Sequence, residues 1–156
     1  MKKLTALLMA LMCVLTMTAC GKTGAETETF TPDTLASVEK AGAFSEELEE
    51  LDADTAFMLY RLADYGLERS DLTGCAVLRS AGATCEEGAV LILSDAAKAD
   101  KAAEALGAYL EGQIESNADY RPAEIPKLEG AVLMTRGNTV LLAVANDAAA
   151  VRSVFE

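Results

Sequence analysis

Histidine is absent from all 156 residues, and the four cysteines include no Cys-x-x-Cys pair. Without histidine, a serine or cysteine nucleophile would lack its commonest general base, and the usual zinc ligand sets cannot be assembled. Acidic residues are abundant, but no pair of them lies in an apolar stretch that would raise a carboxyl pKa for acid catalysis. We therefore expect no catalytic residues, no bound metal and no cofactor, and an enzyme is the least favoured class of function.

No apolar run is long enough to cross a membrane, which takes roughly 20 residues as a helix. The main run, residues 4–15, follows Lys2 and Lys3 and ends at Thr16. A basic start, a short apolar core and small residues after it are typical of a secretory signal. Residues 1–19 are therefore predicted to be a signal peptide that is removed from the mature protein.

The predicted signal ends in Met17-Thr18-Ala19-Cys20, which resembles the lipobox of bacterial lipoproteins. In those proteins the cysteine thiol takes a diacylglycerol before cleavage and becomes the new first residue. Two acyl chains give lasting anchorage to a membrane. The resemblance implies lipidation at Cys20 and a protein held at the cell membrane, facing outside the cytoplasm. The alternative is an ordinary secretory signal in which Cys20 has no role.

Basic residues are few, since 13 Lys and Arg stand against 25 Asp and Glu. Loss of the signal removes Lys2 and Lys3, so 11 basic and 25 acidic residues leave the mature chain with a net charge of −14. A field of that sign repels both nucleic acid backbones and anionic lipid headgroups. We expect no nucleic acid partner, and the diacylglycerol anchor must hold the protein at the membrane.

Two cysteines, Cys75 and Cys85, remain in the folded part once Cys13 leaves with the signal and Cys20 carries lipid. They lie ten residues apart and flank a predicted turn. A disulfide is one interpretation, provided that the hairpin register allows it. The other interpretation is two small apolar residues, one in a strand and one in a loop.

The remaining chain is predicted to form a flexible tether at residues 20–32 and a single α+β domain at residues 33–156. The tether is rich in Thr, Glu and Gly, a composition typical of segments without a core. The domain is predicted to begin with short helices, which capping residues and first-turn acids indicate. Their starts are Pro32, Ser45 and either Asp52 or Asp54.

Two later segments share one design, namely an apolar strand, a capping acid and an alanine-rich helix. A shorter apolar strand precedes each, so the chain is predicted to contain two β-β-α units. The predicted strands cover residues 75–78, 89–93, 131–134 and 139–145. We expect a two-layer fold, with a four-stranded, mostly antiparallel sheet and its helices on one face. The last strand is apolar on both faces, which predicts a central place in the sheet.

Several runs in the folded part carry a family resemblance. They are residues 65–67 with Asp71, Gly82, Gln113, and residues 120–124, 127–132 and 136–142. Together they look like an uncharacterised family of small lipoproteins from Gram-positive anaerobes, known as domain of unknown function 4358. The resemblance spans about residues 43–155. It implies location at the membrane and a single domain, and it brings no catalytic residue because the family has no assigned activity.

We favour a non-catalytic module that binds another cell-envelope protein, with a small-ligand or wall-fragment binding lipoprotein as the alternative. Residues 117–128 contain Tyr120 and Arg121 between two predicted elements, and these two side chains are the candidate contact surface. A rigid return from helix to strand is the plain structural interpretation of the same segment. A sheet covered on one face only would also expose Leu and Val on its other face, as a further contact surface.

Overall fold

The computed structural model describes residues 28–155. The predicted signal peptide, Cys20 and most of the predicted tether lie outside the described residues. The helices are α1 (Pro32–Lys40), α2 (Ala53–Leu59), α3 (Ala96–Asn117), α4 (Ile125–Glu129) and α5 (Ala148–Ser153), and the strands are β1 (Glu49–Leu51), β2 (Leu72–Arg79), β3 (Glu87–Leu93), β4 (Val132–Arg136) and β5 (Thr139–Val144). None of the helices in this part of the chain has the length and apolar character needed to cross a membrane.

The five strands form one antiparallel sheet in the order β1-β2-β3-β5-β4. The predicted α+β class is confirmed, and the two predicted hairpins are present as β2-β3 and β4-β5. β5 lies between β3 and β4, as its apolar residues on both faces predicted. The prediction of four strands was wrong, because the short strand β1 pairs with β2 and adds an edge.

Helices cover both faces of the sheet, whereas the sequence predicted a single covered face. Side chains alternate between the faces along a strand. In β3, Ala89 and Leu91 pack in the core beneath α2 and α3, and Val90 packs on the opposite side with Leu35 of α1. α5 lies on that second side, where Val151 is buried. The two-layer prediction was therefore wrong, because the central strands are apolar on both faces and need a layer on each.

The predicted helix start at Ser45 is also wrong. Residues 49–51 form the edge strand β1, and Ser45 binds a buried carboxylate. Its backbone N–H and its hydroxyl donate to Glu86 over 2.7 and 2.5 Å. A serine followed by acids has the same sequence pattern whether it caps a helix or binds a distant acid. The next helix begins as predicted, since the Asp52 carboxylate caps α2 by accepting from the N–H of Thr55.

The structure separates Cys75 from Cys85, and both thiols are free. Cys75 lies in β2 opposite Leu91, whereas the last pair before the turn is Arg79 with Glu87. Cys85 follows that pair on the loop, about six residues further along the hairpin, or roughly 20 Å at strand spacing. A disulfide needs Cα atoms within about 7 Å of each other. The disulfide between Cys75 and Cys85, which the sequence left open, is therefore not formed.

The predicted loop at residues 117–128 is mostly helical. α3 continues to Asn117, a 3₁₀ turn covers Pro122–Glu124, and α4 follows at once. Each proline lies in the first turn of its short helix, where its missing N–H has no carbonyl to pair with. The prolines therefore start helical turns here.

The domain begins before the predicted boundary at residue 33. Phe30 is only 2% exposed and packs in the core between α1 and the sheet. Its N–H donates to the Thr139 hydroxyl at 2.9 Å. The Arg136 guanidinium lies 4.9 Å from the centre of the Phe30 ring and 5.2 Å from that of Phe155. The end of the predicted tether is thus part of the folded domain.

The burial of Phe30 predicts that a chain starting at residue 28 is more stable than a chain starting at residue 33. Loss of a buried phenylalanine side chain costs about 3–5 kcal/mol, which urea unfolding of the two chains measures. Phe30→Ala in the longer chain should reproduce most of the difference. Thr29→Ala, at an exposed position, is the control and should change little. Equal stability of the two chains would contradict this boundary.

Candidate functional site

A cleft of about 340 Å³ opens at the end of the sheet where β2 ends and β3 begins. Strand ends form its floor, and residues 80–85, in the loop that connects β2 to β3, form one wall. The other wall comes from the C-terminal half of α3 and from Arg121, which follows that helix. The cleft therefore lies between the first hairpin and the helix that covers it.

The floor of the cleft is one row of residues across the sheet. The register places Arg79 opposite Glu49 on one side and opposite Glu87 on the other, and it places Glu87 opposite Val144. Opposed residues of antiparallel strands share a face, so this charged row faces α3. The next row on the same face is apolar and consists of Leu51, Val77, Ala89 and Leu142. The cleft thus begins where the apolar core ends.

Glu87 is the buried charge of this row, with 2% of its surface exposed. Tyr60 donates to one carboxylate oxygen at 2.5 Å. Tyr109 and Arg79 donate to the other oxygen, at 2.7 and 3.3 Å. The two tyrosine rings meet edge to face, with centroids 5.1 Å apart. Because its three donors come from the end of α2, from α3 and from β2, this carboxylate joins four elements.

Burial raises the pKa of the Glu87 carboxyl, against the opposing effect of its three donors. Burial and the adjacent Glu87 charge also raise the pKa values of Tyr60 and Tyr109. The tyrosines therefore keep their hydroxyl protons throughout the physiological range and act as donors. Within this cluster, the carboxyl is the group that changes charge when the solution becomes acidic.

A second buried carboxylate, Glu86, holds the loop wall. It accepts from the Lys127 ammonium at 2.8 Å and from Ser45. Although burial opposes it, the bonds from Lys127 and Ser45 hold the pKa of the Glu86 carboxyl below its usual value. Lys127 also pairs with Glu124 at 3.2 Å, and Glu124 accepts from the N–H of Cys85. The loop is thereby fastened to α4 and to the segment before β1.

Arg121 and two amides line the opposite wall of the cleft. Arg121 donates to the carbonyl of Thr84 at 3.2 Å, which brings its guanidinium against the loop. Asn117 donates to the backbone carbonyl of Gln113 at 2.7 Å and lies 3.5 Å from the side-chain oxygen of Gln113. Two guanidiniums, those of Arg79 and Arg121, therefore line one cleft in a strongly acidic protein.

A larger groove of about 580 Å³ lies beside the cleft, between the end of α2 and α3. Tyr109 and Gln113 line both spaces. Small residues of α3, including Ala108, give the groove its depth. Its ion pair, between Arg61 and Asp64 at 2.6 Å, is largely exposed and is worth little energy for that reason. The cleft, and not the groove, contains the buried charges.

The family described as a domain of unknown function, DUF4358, matches residues 45–145 of this chain. The chain belongs to this family. No curated protein and no solved structure matches it. The DUF4358 match contains all five strands and every residue named above for the cleft, and it leaves out α1, Phe30 and α5. The family resemblance drawn from the sequence is confirmed, while Cys20 lies outside the matched part.

The DUF4358 domain places the two side chains of the predicted contact surface in different surroundings. Arg121 lines the cleft, whereas Tyr120 is 79% exposed beside it, with the Arg121 guanidinium 5.6 Å from its ring. Cys85 lines the cleft, and Cys75 lies in β2. Burial raises the pKa of both thiols, which disfavours the reactive thiolate. Among residues 28–155, no three Asp, Glu or Cys side chains are grouped so that they would hold a metal ion.

Sequence reasoning missed Glu87, Tyr60 and Tyr109 of the DUF4358 cleft. In the sequence, Glu86 and Glu87 are typical of the turn between two apolar strands. One local signal existed, since Glu87 lies two residues before Ala89 and so keeps the alternation of the strand. Tyr60 and Tyr109 occur at helix positions that are equally typical of an ordinary core. Only the packing of the helices on the sheet shows that both tyrosines donate to Glu87.

Tyr60→Phe should lower the free energy of unfolding by about 1–3 kcal/mol at neutral pH, because it removes a donor from a buried carboxylate. The pKa of Glu87 is raised from 4.5, so the stability that its protonated form contributes is lost as the pH rises through the folded-state value. Tyr60→Phe removes a hydrogen bond that stabilises the ionised Glu87 carboxylate, so the folded protein loses more stability when Glu87 ionises. The cost of the substitution should therefore be smallest in acid and grow as the pH rises.

Urea unfolding from about pH 4 to about pH 8 measures this dependence. Tyr65→Phe is the matched control, because the tyrosine hydroxyls that make hydrogen bonds within residues 28–155 are those of Tyr60 and Tyr109. A cost of Tyr60→Phe that does not vary with pH would be inconsistent with the role assigned to Glu87.

Proposed function

We propose that this protein is a non-catalytic lipoprotein, anchored through Cys20 outside the cytoplasm, that binds a small ligand in the cleft. One observation carries the ligand-binding part of the proposal, namely a concave site whose buried charges are fully paired while polar atoms at its surface stay available. A volume of about 340 Å³ lies at the lower end of the range of about 300–1,000 Å³ typical of small-molecule sites. The expected ligand is correspondingly small.

The side chains of the cleft are held in place before any ligand arrives. The floor is positioned through Glu87 by three donors, and the loop wall is positioned through Glu86 by Lys127 and Ser45. A site that is already ordered loses less conformational entropy on binding. This order supports a binding role for the cleft over a role as an accidental surface depression.

The position of the cleft relative to the proposed anchor also supports this function. The chain enters the domain at Phe30, whose backbone N–H is hydrogen-bonded to Thr139, the first residue of β5. The cleft lies at Val144, the last residue of that strand, or about 17 Å away at strand spacing. Residues 20–29 span at most about 35 Å. An anchor on Cys20 would thus hold the domain by the end opposite the cleft and leave the cleft open to the medium.

An envelope interaction module is the second candidate, and Tyr120 is the observation that favours it. This side chain is 79% exposed, and with Met58 it is one of two large apolar side chains exposed in residues 28–155. The argument from an uncovered sheet face is lost, however, because helices cover both faces. A partner captured on intact cells by the wild-type protein and not by Tyr120→Ala would favour the module over ligand binding.

The cleft predicts a ligand-dependent rise in melting temperature that a bulky side chain in the cleft abolishes. A ligand at 100 times its dissociation constant adds about 2.7 kcal/mol of stability, which thermal-shift screening of amino acids, short peptides and sugars would detect. Ala81→Trp, at an exposed position in the cleft lining, should remove the response. Ala108→Trp fills the neighbouring groove at an exposed position and should retain it. If Ala108→Trp abolished the rise in melting temperature and Ala81→Trp retained it, the ligand would bind in the groove and not in the cleft.

The proposed anchor predicts that Cys20→Ala moves the protein from the membrane fraction to the medium, because the thiol that takes the diacylglycerol is gone. Cell fractionation followed by immunoblotting measures the distribution. Cys75→Ala removes a thiol within the folded domain and should leave the protein in the membrane fraction. Retention of Cys20→Ala in the membrane would refute the lipobox interpretation.

A further inference from the structure

We infer that the cleft selects a small ligand carrying a single carboxylate, which Arg121 and Arg79 bind together. The inference rests on the proposed function and adds the chemical class of the ligand. Arginine guanidinium groups match the planar carboxylate and form paired, charge-assisted hydrogen bonds with it. Two such groups line this one cleft.

The charge of Arg121 is not neutralised by the domain. Among residues 28–155, its guanidinium makes no ion pair with a carboxylate, and its one hydrogen bond goes to the carbonyl of Thr84. The ring of Tyr120, 5.6 Å away, packs beside the guanidinium on the outer side of the cleft. Arg121 is therefore held in position while most of its donor groups stay available.

Arg79 also has donors to spare. Its Nε atom lies 3.3 Å from Glu87. The two oxygens of Glu87 already accept from Tyr60, Tyr109 and Arg79, so this carboxylate is fully occupied by the protein. The terminal nitrogens of Arg79 make no hydrogen bond or ion pair with any other residue from 28 to 155. Glu87 thus orients Arg79 without using all of its hydrogen-bonding capacity.

The side-chain amide of Gln113 supplies a further hydrogen-bond donor to the cleft. The Asn117 amide donates to the backbone carbonyl of Gln113 and lies 3.5 Å from its side-chain oxygen. The side-chain nitrogen of Gln113 makes no hydrogen bond within residues 28–155, so it is a donor for a ligand. The terminal nitrogens of Arg79, most of the Arg121 guanidinium and the Gln113 nitrogen are therefore donors still available in the lining. A ligand rich in oxygen acceptors satisfies them, and a ligand made only of donors would leave them unpaired at a cost.

The charge of the surroundings limits that ligand to one negative charge. Glu49 belongs to the same floor row and is exposed at the cleft, and the mature chain has a net charge of −14. A phosphate monoester has a charge of about −1.5 to −2 at neutral pH, so this field opposes it more strongly than it opposes a carboxylate. The guanidiniums can bind either group, and the negative charge around them disfavours a phosphate relative to a carboxylate.

Three probes of similar size test this class of ligand. They are acetyl-alanyl-alanine, which has one carboxylate, its C-terminal amide, which is neutral, and glycerol phosphate. The protein is the full mature chain made with Cys20→Ala so that it stays in solution, and binding is followed by changes in its backbone amide NMR signals at millimolar probe. The carboxylate probe should shift signals of the loop at residues 80–85 and of Arg121, with a Kd at least about tenfold lower than that of the amide.

Substitutions of arginine then assign the contact. Arg121→Gln should remove the roughly tenfold preference for the carboxylate probe, and Arg121→Lys should retain part of it because the charge remains while the planar fork is lost. Arg152→Gln is the matched control, since Arg152 lies exposed on α5, away from the cleft. Unchanged spectra away from the cleft show that each variant is folded.

Each other outcome has a definite meaning. Equal binding of the carboxylate probe and its amide, tighter binding of glycerol phosphate, or no signal change with the carboxylate probe would overturn the ligand class. Under any of these results the proposed function still stands if another compound raises the melting temperature and Ala81→Trp abolishes that rise. If no compound does so, the proposed function fails as well.

Discussion

The carboxylate of Glu87 is the interaction on which the arrangement of this domain depends. A charge in a central strand is costly to bury, and it is tolerated only when its oxygens are fully hydrogen-bonded. Tyr60, Tyr109 and Arg79 supply these bonds from three other elements. The end of α2, the middle of α3 and the end of β2 must therefore converge on one point of β3. Hydrophobic packing alone would tolerate small shifts of these helices, whereas a buried carboxylate with three donors does not.

The same carboxylate explains why a cleft exists at this end of the sheet. The apolar row of Leu51, Val77, Ala89 and Leu142 closes the core beneath α3, and the next row replaces apolar side chains with Glu49, Arg79 and Glu87. This charged row meets α3 through the hydrogen bond from Tyr109 to Glu87, and the cleft lies beside that contact. A space is left there, which the loop fastened by Glu86 and Lys127 encloses. The proposed ligand site is thus a consequence of how the core is terminated.

The two β-β-α units of the chain have different structural roles, although their sequences share a design. The helix of the first unit, α3, has 22 residues and covers one face of the sheet, while α5 of the second has 6 residues and lies on the other face. Only the long helix extends past the strand ends to form a wall of the cleft. The second unit instead receives the entering chain, through Arg136 and Thr139. Under the proposed anchoring, one unit faces the ligand and the other is linked to the membrane.

What the sequence determined by itself was local. Short apolar runs separated by turn residues predicted the two hairpins, and apolar residues on both faces of β5 predicted its central place. Capping residues predicted three helix starts to within two positions, and the structure has the caps at Asp52, Asp95 and Asp147. These features depend on residues a few positions apart, whose preferences act within one element. The tertiary structure alone decided the face that each helix covers, the pairing of β1, the separation of Cys75 from Cys85 and the convergence of Tyr60 and Tyr109 on Glu87. Each of these features depends on contacts between residues far apart in the chain. The register of the sheet and the need to hydrogen-bond every buried polar group determine which of the possible contacts form.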